Sequence, residues 1–395
     1  MSKSSGIATF GHFFVKNRFF VIKLEYGIWK QLHFRIKERQ KMNVQTEICR
    51  MLHIQYPIIQ AGMAGGPTTV DLVASVSEAG ALGTLGAAYM KPNDIRKAVR
   101  DIRARTSKPF AVNLFCTNMD DNVEGLQEVE HILNNMRTAL KIEKSEAEVK
   151  TPQLFEEQFQ VLLDEEVQVI STAFGVLPEV AMKKAKEKGI TVMTMVTTVN
   201  EAILAERSGA DIIVAQGSDA GGHRSTFDIN GFPNGANIGT FSLVPQVVDS
   251  VSVPVIAAGG VMDGRGLTAA LALGAKGVQM GTAFLPTIES GAHPAYKEAL
   301  LNSTEESTVI TKSFSGRPAR GIKNTFIKEF EKSGIQPLAF PTQNTVTGDI
   351  RKEAAKQNNP EYMSLWAGQG TRLLQGKIGV KEIIERVIEE AKVLV

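Results

Sequence analysis

The sequence predicts an α/β protein built on a (β/α)8 TIM barrel, followed by a smaller, mainly α-helical segment. Three observations carry that expectation. Between residues 57 and 280, eight short runs are apolar on consecutive residues, the pattern of strands covered on both faces. Helical or excursion segments separate these runs, and several end at a glycine. The chain of 395 residues is also long enough for a barrel core and one smaller unit. A doubly wound open sheet is the competing arrangement, but the GxGxxG turn expected after its first strand does not occur.

The first strand is 57–62 (PIIQAG), with the loop MAGGPT and an apolar-periodic helix over 69–79 behind it. Residues 81–88 form the second strand, 91–105 its charged amphipathic helix, and 109–115 (PFAVNLF) the third strand. The rhythm breaks over 117–150, a polar, highly charged stretch with room for a helix or an outside excursion. It resumes with a strand at 168–174, a helix at 178–188 stopped by Gly189, a strand at 191–197, and a helix at 201–208 stopped by Gly209. The sixth strand is 212–215, and a long loop carries the chain from there to Thr240. A helix at 243–251, a strand at 254–258, a helix at 267–273 and a strand at 277–280 complete the set.

Beyond residue 285 the segments are helical and polar: 294–301, then SFSGRPARG (313–321), 324–332, and a Pro/Gln/Asn-rich run into LWAGQGTRLL (365–374). The expected organisation is a basic, aromatic N-terminal extension at 1–41 outside the fold and a barrel at 42–285 with its 117–150 excursion. A helical substrate-binding cap at 286–378 follows, then a C-terminal helix at 379–395 that returns to the barrel wall.

Charge is nearly balanced, 44 Lys and Arg against 42 Asp and Glu, which favours neither a nucleic-acid nor a membrane partner. Residues 1–41 hold nine of the basic and two of the acidic residues, net +7, leaving 35 against 40, net −5, for the rest. An acidic body is a poor electrostatic nucleic-acid binder. In the extension, Phe13, Phe14, Phe19, Phe20, Trp29 and Phe34 are interleaved with Lys16, Arg18, Lys23, Lys30, Arg35 and Lys37. That pattern reads as a membrane-surface or targeting segment, or, as we favour, an extension lacking an organised apolar face. Met42 would serve as an alternative start. No apolar run reaches transmembrane length. Cys49 and Cys116 have neither metal-ligand spacing nor a disulfide framework, so a reducing, cytoplasmic location is expected. Homo-oligomerisation is left open.

In a βα barrel, functional groups gather at the C-terminal ends of the strands, and phosphate is held after strands seven and eight. Those loops carry Gly259, Gly260, Gly281 and Thr282, which offer backbone N–H groups and a hydroxyl to a phosphate-bearing cofactor. Glycines serving only tight turns are the alternative. Met63, Asn113 and Gln216 stand at other strand ends, and DIIVAQGSDAGGHRST (211–226) brings His223. No metal-ligand cluster, GxSxG elbow or Ser/His/Asp arrangement occurs. Small residues, amides and one histidine suit a planar organic cofactor that brings its own chemistry.

PIIQAGMAGG (57–66), AQGSDAGGHR (215–224), PVIAAGGV (254–261), GVQMGTAF (277–284), FSGRPARGI (314–322) and LWAGQG (365–370) together resemble class I nitronate monooxygenases, formerly called 2-nitropropane dioxygenases. The resemblance runs from about Met42 to the end. Ser225 departs from it, standing where many relatives carry glycine. What it implies is FMN, with the phosphate against Gly260, Gln279, Met280, Gly281 and Thr282 and the ring lined by Met63, Asn113, Gln216 and Gly221. His223 would be the catalytic residue, a base toward neutral nitroalkanes and an orienting group toward a nitronate anion. The implied reaction is one-electron oxidation of an alkyl nitronate by flavin, followed by O2, releasing a carbonyl compound and nitrite. Ser315, Arg317 and Arg320 either line the substrate mouth or tie the cap to the barrel. His53, His131 and His293 read as surface or packing residues. An NAD(P)H-dependent flavin reductase, of the enoyl-acyl-carrier-protein or quinone type, is the alternative function. A barrel that binds a phosphate ligand without turnover is the third.

Overall fold

A computed structural model describes residues 44–143 and 149–394, so the N-terminal extension lies outside the described residues. Eight parallel strands, β1 (Ile58–Gln60), β2 (Gly83–Gly86), β3 (Phe110–Phe115), β4 (Val169–Ala173), β5 (Thr191–Val196), β6 (Ile212–Gln216), β8 (Val255–Ala258) and β9 (Gly277–Met280), run in the order β1-β9-β8-β6-β5-β4-β3-β2. A parallel bridge between Ile59 and Leu82 closes the seam; Leu82 N–H donates to Ile58 O and Gln60 N–H to Leu82 O, both at 2.9 Å. Both faces of these strands are buried, and that is why their sequences are continuously apolar. The short helix Glu47–Met51 packs Ile48 and Leu52 against Ile59, Leu82, Ala111 and Val169 near the strand starts.

Most helices between strands are those the periodicity predicts; Phe155–Asp164, before β4, is one it did not. Thr198 and Glu201 form a reciprocal capping box on the helix Val199–Arg207, and the Asp263 carboxylate caps Gly264–Ala272. The last helix, Val380–Leu394, buries Val380, Ile383, Ile384, Val387, Ile388 and Ala391 against the helices Gly264–Ala272 and Val70–Glu78. It occupies the place of the barrel's eighth helix. Residues 285–379 are therefore inserted between the eighth strand and the eighth helix.

That insertion contains the helices Pro294–Leu301, Thr325–Lys332, Thr342–Val346 and Gly348–Lys356. Phe314 stacks on Phe326 at 4.1 Å in its apolar cluster, to which the excursion helix Leu126–Ala139 adds Val129, Leu133 and Met136. It also carries β-structure that helical patterning did not suggest. Strands β10 (Thr308–Thr311) and β11 (Ala319–Ile322) form an antiparallel ladder whose third member, β7 (Gly222–His223), comes from the long loop after β6. Among the described residues, no helix is long and apolar enough to cross a membrane.

Candidate active site

A cavity of about 730 Å3 opens at the C-terminal ends of the barrel strands. Its wall includes Met63, Asn113, Gln216, Gly221, His223, Gly260, Gln279, Met280, Gly281 and Thr282. Residues from five strand ends and one long loop thus share one space, as barrel topology requires.

The glycine loops have the geometry an anion needs. Gly259 and Gly260 sit at φ +114° and +73°, and their amides, with that of Gly281, donate to no backbone carbonyl among the described residues. The Thr282 hydroxyl oxygen accepts the Gly368 N–H at 3.0 Å and keeps its own proton to donate. Among the described residues, Asp219 is the one carboxylate in the wall. Its Oδ2 accepts from the Thr240 amide (2.8 Å) and hydroxyl (2.7 Å), bonds that outweigh burial and, with Arg320 nearby, hold it below the usual carboxylate range. Burial alone would raise it. The Gln279 side-chain amide has no partner among the described residues, and Asn113 uses only its Nδ2, toward Ser171 Oγ at 2.8 Å. Gln216 is different: its amide donates to His223 O (3.0 Å) and accepts from Ser225 N (2.9 Å), so it braces the loop.

His223 is fixed by elements distant in sequence. Its backbone lies in the β7–β11 ladder opposite Ala319, and its Nε2 is 2.8 Å from Ser315 Oγ. Phe174, Phe340 and Trp366 surround the ring at centroid distances of 5.6, 6.3 and 5.4 Å. Burial, then the charges of Arg317 and Arg351, push its pKa down to about 3, so the imidazole is neutral at neutral pH. Arg317 reaches the site from behind, its guanidinium 4.0 Å over the Phe174 ring, donating to Thr226 O while its Nε has no partner among the described residues. Arg320 donates to Ser218 O at 2.9 Å, under the glycine loop. Ser315 thus contacts the histidine, Arg320 the loop and Arg317 the Phe174 ring, and none of the three is among the residues lining the cavity.

The wall also carries residues outside the sequence-derived set, among them Tyr89, His293, Arg351 and Lys352. His293, expected at the surface or in packing, caps the helix Pro294–Leu301 by accepting the Ala295 N–H on Nδ1 at 3.2 Å. Arg351 and Lys352 sit in GDIRKEAAK, where the charge pattern is that of any solvated helix face. Among the described residues no group of His, Cys, Asp and Glu could hold a metal ion.

A closed parallel barrel whose strand ends converge on one large cavity, with glycine loops on one side and a buried histidine on another, is the architecture of a barrel enzyme. The model of the nitronate monooxygenase family matches residues 45–390. A "probable nitronate monooxygenase" of Staphylococcus saprophyticus is 42% identical over 353 residues, 89% of this chain and 98% of that protein. One from Staphylococcus aureus is 44% identical over 83% of this chain and 92% of that protein. Among solved structures, nitroalkane oxidase from Streptomyces ansochromogenes superposes with a TM-score of 0.80 at 34% identity, covering 87% of this chain and 97% of that one. FabK from Thermotoga maritima does so with a TM-score of 0.70 at 33% identity, over 89% and 97%. The chain belongs to the nitronate monooxygenase family, and its activity is that of an oxidoreductase.

Proposed function

We propose that this protein is an FMN-dependent nitronate monooxygenase that detoxifies alkyl nitronates such as propionate 3-nitronate, using O2 and releasing a carbonyl compound and nitrite. The observation that carries this reading is a neutral His223 set among cations on one cavity wall, with unpaired amides of Gly259, Gly260 and Gly281 on another. Those amides and the Thr282 hydroxyl would hold the FMN phosphate. Asn113 Oδ1 and the Gln279 amide are free to meet the polar edge of a flavin, and Met63 and Gly221 give it apolar surface. The redox chemistry, electrons taken from the nitronate and delivered to O2, is what FMN supplies when bound.

The chain's own contribution is orientation and electrostatics. Ser315 Oγ also lies 3.1 Å from Arg317 O, so one hydroxyl proton serves either that carbonyl or His223 Nε2. Donation to Nε2 leaves the imidazole proton on Nδ1, which has no partner among the described residues, as a hydrogen-bond donor. A nitronate oxygen is the acceptor such a donor suits. A histidine held at about 3 is a weak base for a neutral nitroalkane, whereas an anion beside it offsets the pull of Arg317 and Arg351. The environment therefore favours substrate that arrives as the nitronate.

The test is nitrite release from propionate 3-nitronate in air without NADH, by protein carrying FMN. His223→Asn should keep the flavin spectrum and lose about 100-fold or more in kcat/KM. The competing flavin-reductase reading is kept by the likeness to FabK. Rapid anaerobic bleaching by NADH, with no nitrite in air, would establish it instead. Retained FMN with neither response would point to a barrel that binds without turnover.

A further inference from the structure

The helix Gly348–Lys356 sends a guanidinium to the cavity wall that the protein leaves unpaired. Arg351 Nη2 donates to Asn344 O at 2.5 Å and to Asn344 Oδ1 at 3.1 Å, and Nε to Thr347 O at 3.4 Å. All three acceptors are neutral. Nη1 has no partner, and no carboxylate lies within ion-pair distance of Arg351, among the described residues. The nearest acidic residues in sequence, Asp349 and Glu353, are paired elsewhere, with Arg137 Nε at 2.7 Å and Lys356 Nζ at 2.8 Å. Asp219, the only acid in the wall among the described residues, is spent on Thr240 at the glycine loop. The cavity thus holds Arg351 and Lys352 on its wall, and Arg317 behind, and among the described residues none of the three makes an ion pair; Asp349 acts on Arg351, and Glu201 on Arg317, only at longer range. Desolvating Arg351 without an ion-pair partner costs free energy that a bound anion offsets, whereas Lys352 beside it is exposed. Burial lowers the Arg351 guanidinium below its ordinary range, outweighing the opposing pull of Tyr89 and Asp349.

We propose that Arg351 is the specificity-determining residue of a second anion subsite, which takes a carboxylate carried on the substrate remote from the reacting carbon. This rests on the nitronate reading above. Two anionic groups are then met by two different devices: the nitronate by the Nδ1–H of His223, the tail carboxylate by the free edge of the Arg351 fork. Three neutral acceptors fix the fork before substrate arrives, so little side-chain entropy is lost on binding.

The experiment compares propionate 3-nitronate with propyl 1-nitronate, of similar chain length and without the carboxylate, in FMN-loaded protein and in Arg351→Gln and Arg351→Lys. The wild type should prefer the carboxylate by tenfold or more in kcat/KM. Arg351→Gln should collapse that ratio by about 10- to 100-fold, chiefly through KM, and Arg351→Lys should restore part of it. A parallel loss on both nitronates, or an unchanged ratio, would overturn the proposal and leave Arg351 as an anchor for the helix Thr342–Val346. If the wild type turns over neither nitronate, the functional reading fails, and calorimetry with glutarate decides the subsite separately. Glutarate binding weakened at least tenfold by Arg351→Gln, with circular dichroism unchanged, supports it; no binding, or binding indifferent to the substitution, overturns it.

Discussion

At the scale of single residues, the proposed chemistry turns on how His223 is kept neutral. Its pKa is held at about 3 against the ordinary 6.5, so between those values the unfolded chain binds the proton and the folded chain does not. The stability contributed by the neutral ring is complete above about pH 6.5 and is lost as pH falls toward 3. Melting temperature should accordingly fall more steeply from pH 6.5 to 4.5 in the wild type than in His223→Gln. Equal slopes would mean the ring is not held neutral. For the same reason, kcat/KM for pre-formed nitronate should show no histidine inflection between pH 5.5 and 8. The Ser225 hydroxyl both accepts and donates: it accepts from Phe174 N at 3.0 Å and donates to Met195 O at 3.1 Å. Phe174 carries the ring over which Arg317 lies and has φ +72°, a strained value for an aromatic residue. Ser225→Ala leaves that buried amide unpaired and should cost about 1–3 kcal/mol, read from urea unfolding.

At the scale of elements, the motifs interlock. AGGH and GRPARG pair as β7 and β11, Ala367 N–H donates to Arg320 O (3.2 Å), and Gln369 N–H donates to Asp219 O (3.0 Å). Gly221 sits at this junction. A Cβ there would lie 2.4 Å from Gly368 N and 2.5 Å from Ala367 C, with backbone on both sides and nothing flexible to yield. Gly221→Ala should force the loop and the 367–370 segment apart, weakening FMN affinity by tenfold or more in fluorescence titration. Unchanged affinity would show that the junction does not shape the cavity. The eight strands and the glycine loops were legible in the sequence because each is a local pattern: consecutive apolar residues, or glycine just after them. The pairing of β7 with β11 was not, since it sets His223 opposite Ala319, with Ser315, 92 positions away, on its ring, and bears no periodicity of its own. Arg351 was illegible for a different reason. A cation facing a cavity and one facing water occupy the same place in an amphipathic helix pattern, and only the absence of a carboxylate partner in three dimensions separates them.

At the scale of the whole molecule, the fold is a barrel interrupted before its last helix. The chain leaves the wall after β9, builds the 285–379 insertion over the strand ends, and returns to complete the helical layer with Val380–Leu394. The return contact is close. A Cβ on Gly264 would lie 2.4 Å from Ala391 N, and Glu390 accepts the Gly264 N–H at 2.9 Å. Six side chains of this helix are buried against the helices that follow β1 and β8, flanking the seam where the first and last strands meet. At about 1.5–3 kcal/mol for each large apolar side chain, removing the helix would take away on the order of 10 kcal/mol, comparable with the whole stability of a typical domain. The helix is thus expected to be part of the barrel's folding unit. Ile384→Ala should destabilise by about 2–5 kcal/mol, and a chain stopped at Gly379 should fail to fold or to retain FMN. A stable, FMN-loaded 1–379 chain would mean that the barrel is complete without its eighth helix. A folded Ile384→Ala protein with unaltered nitronate KM would in turn separate the closure of the wall from the shaping of the site, because Ile384 lies outside the cavity wall that Arg351 and His223 share.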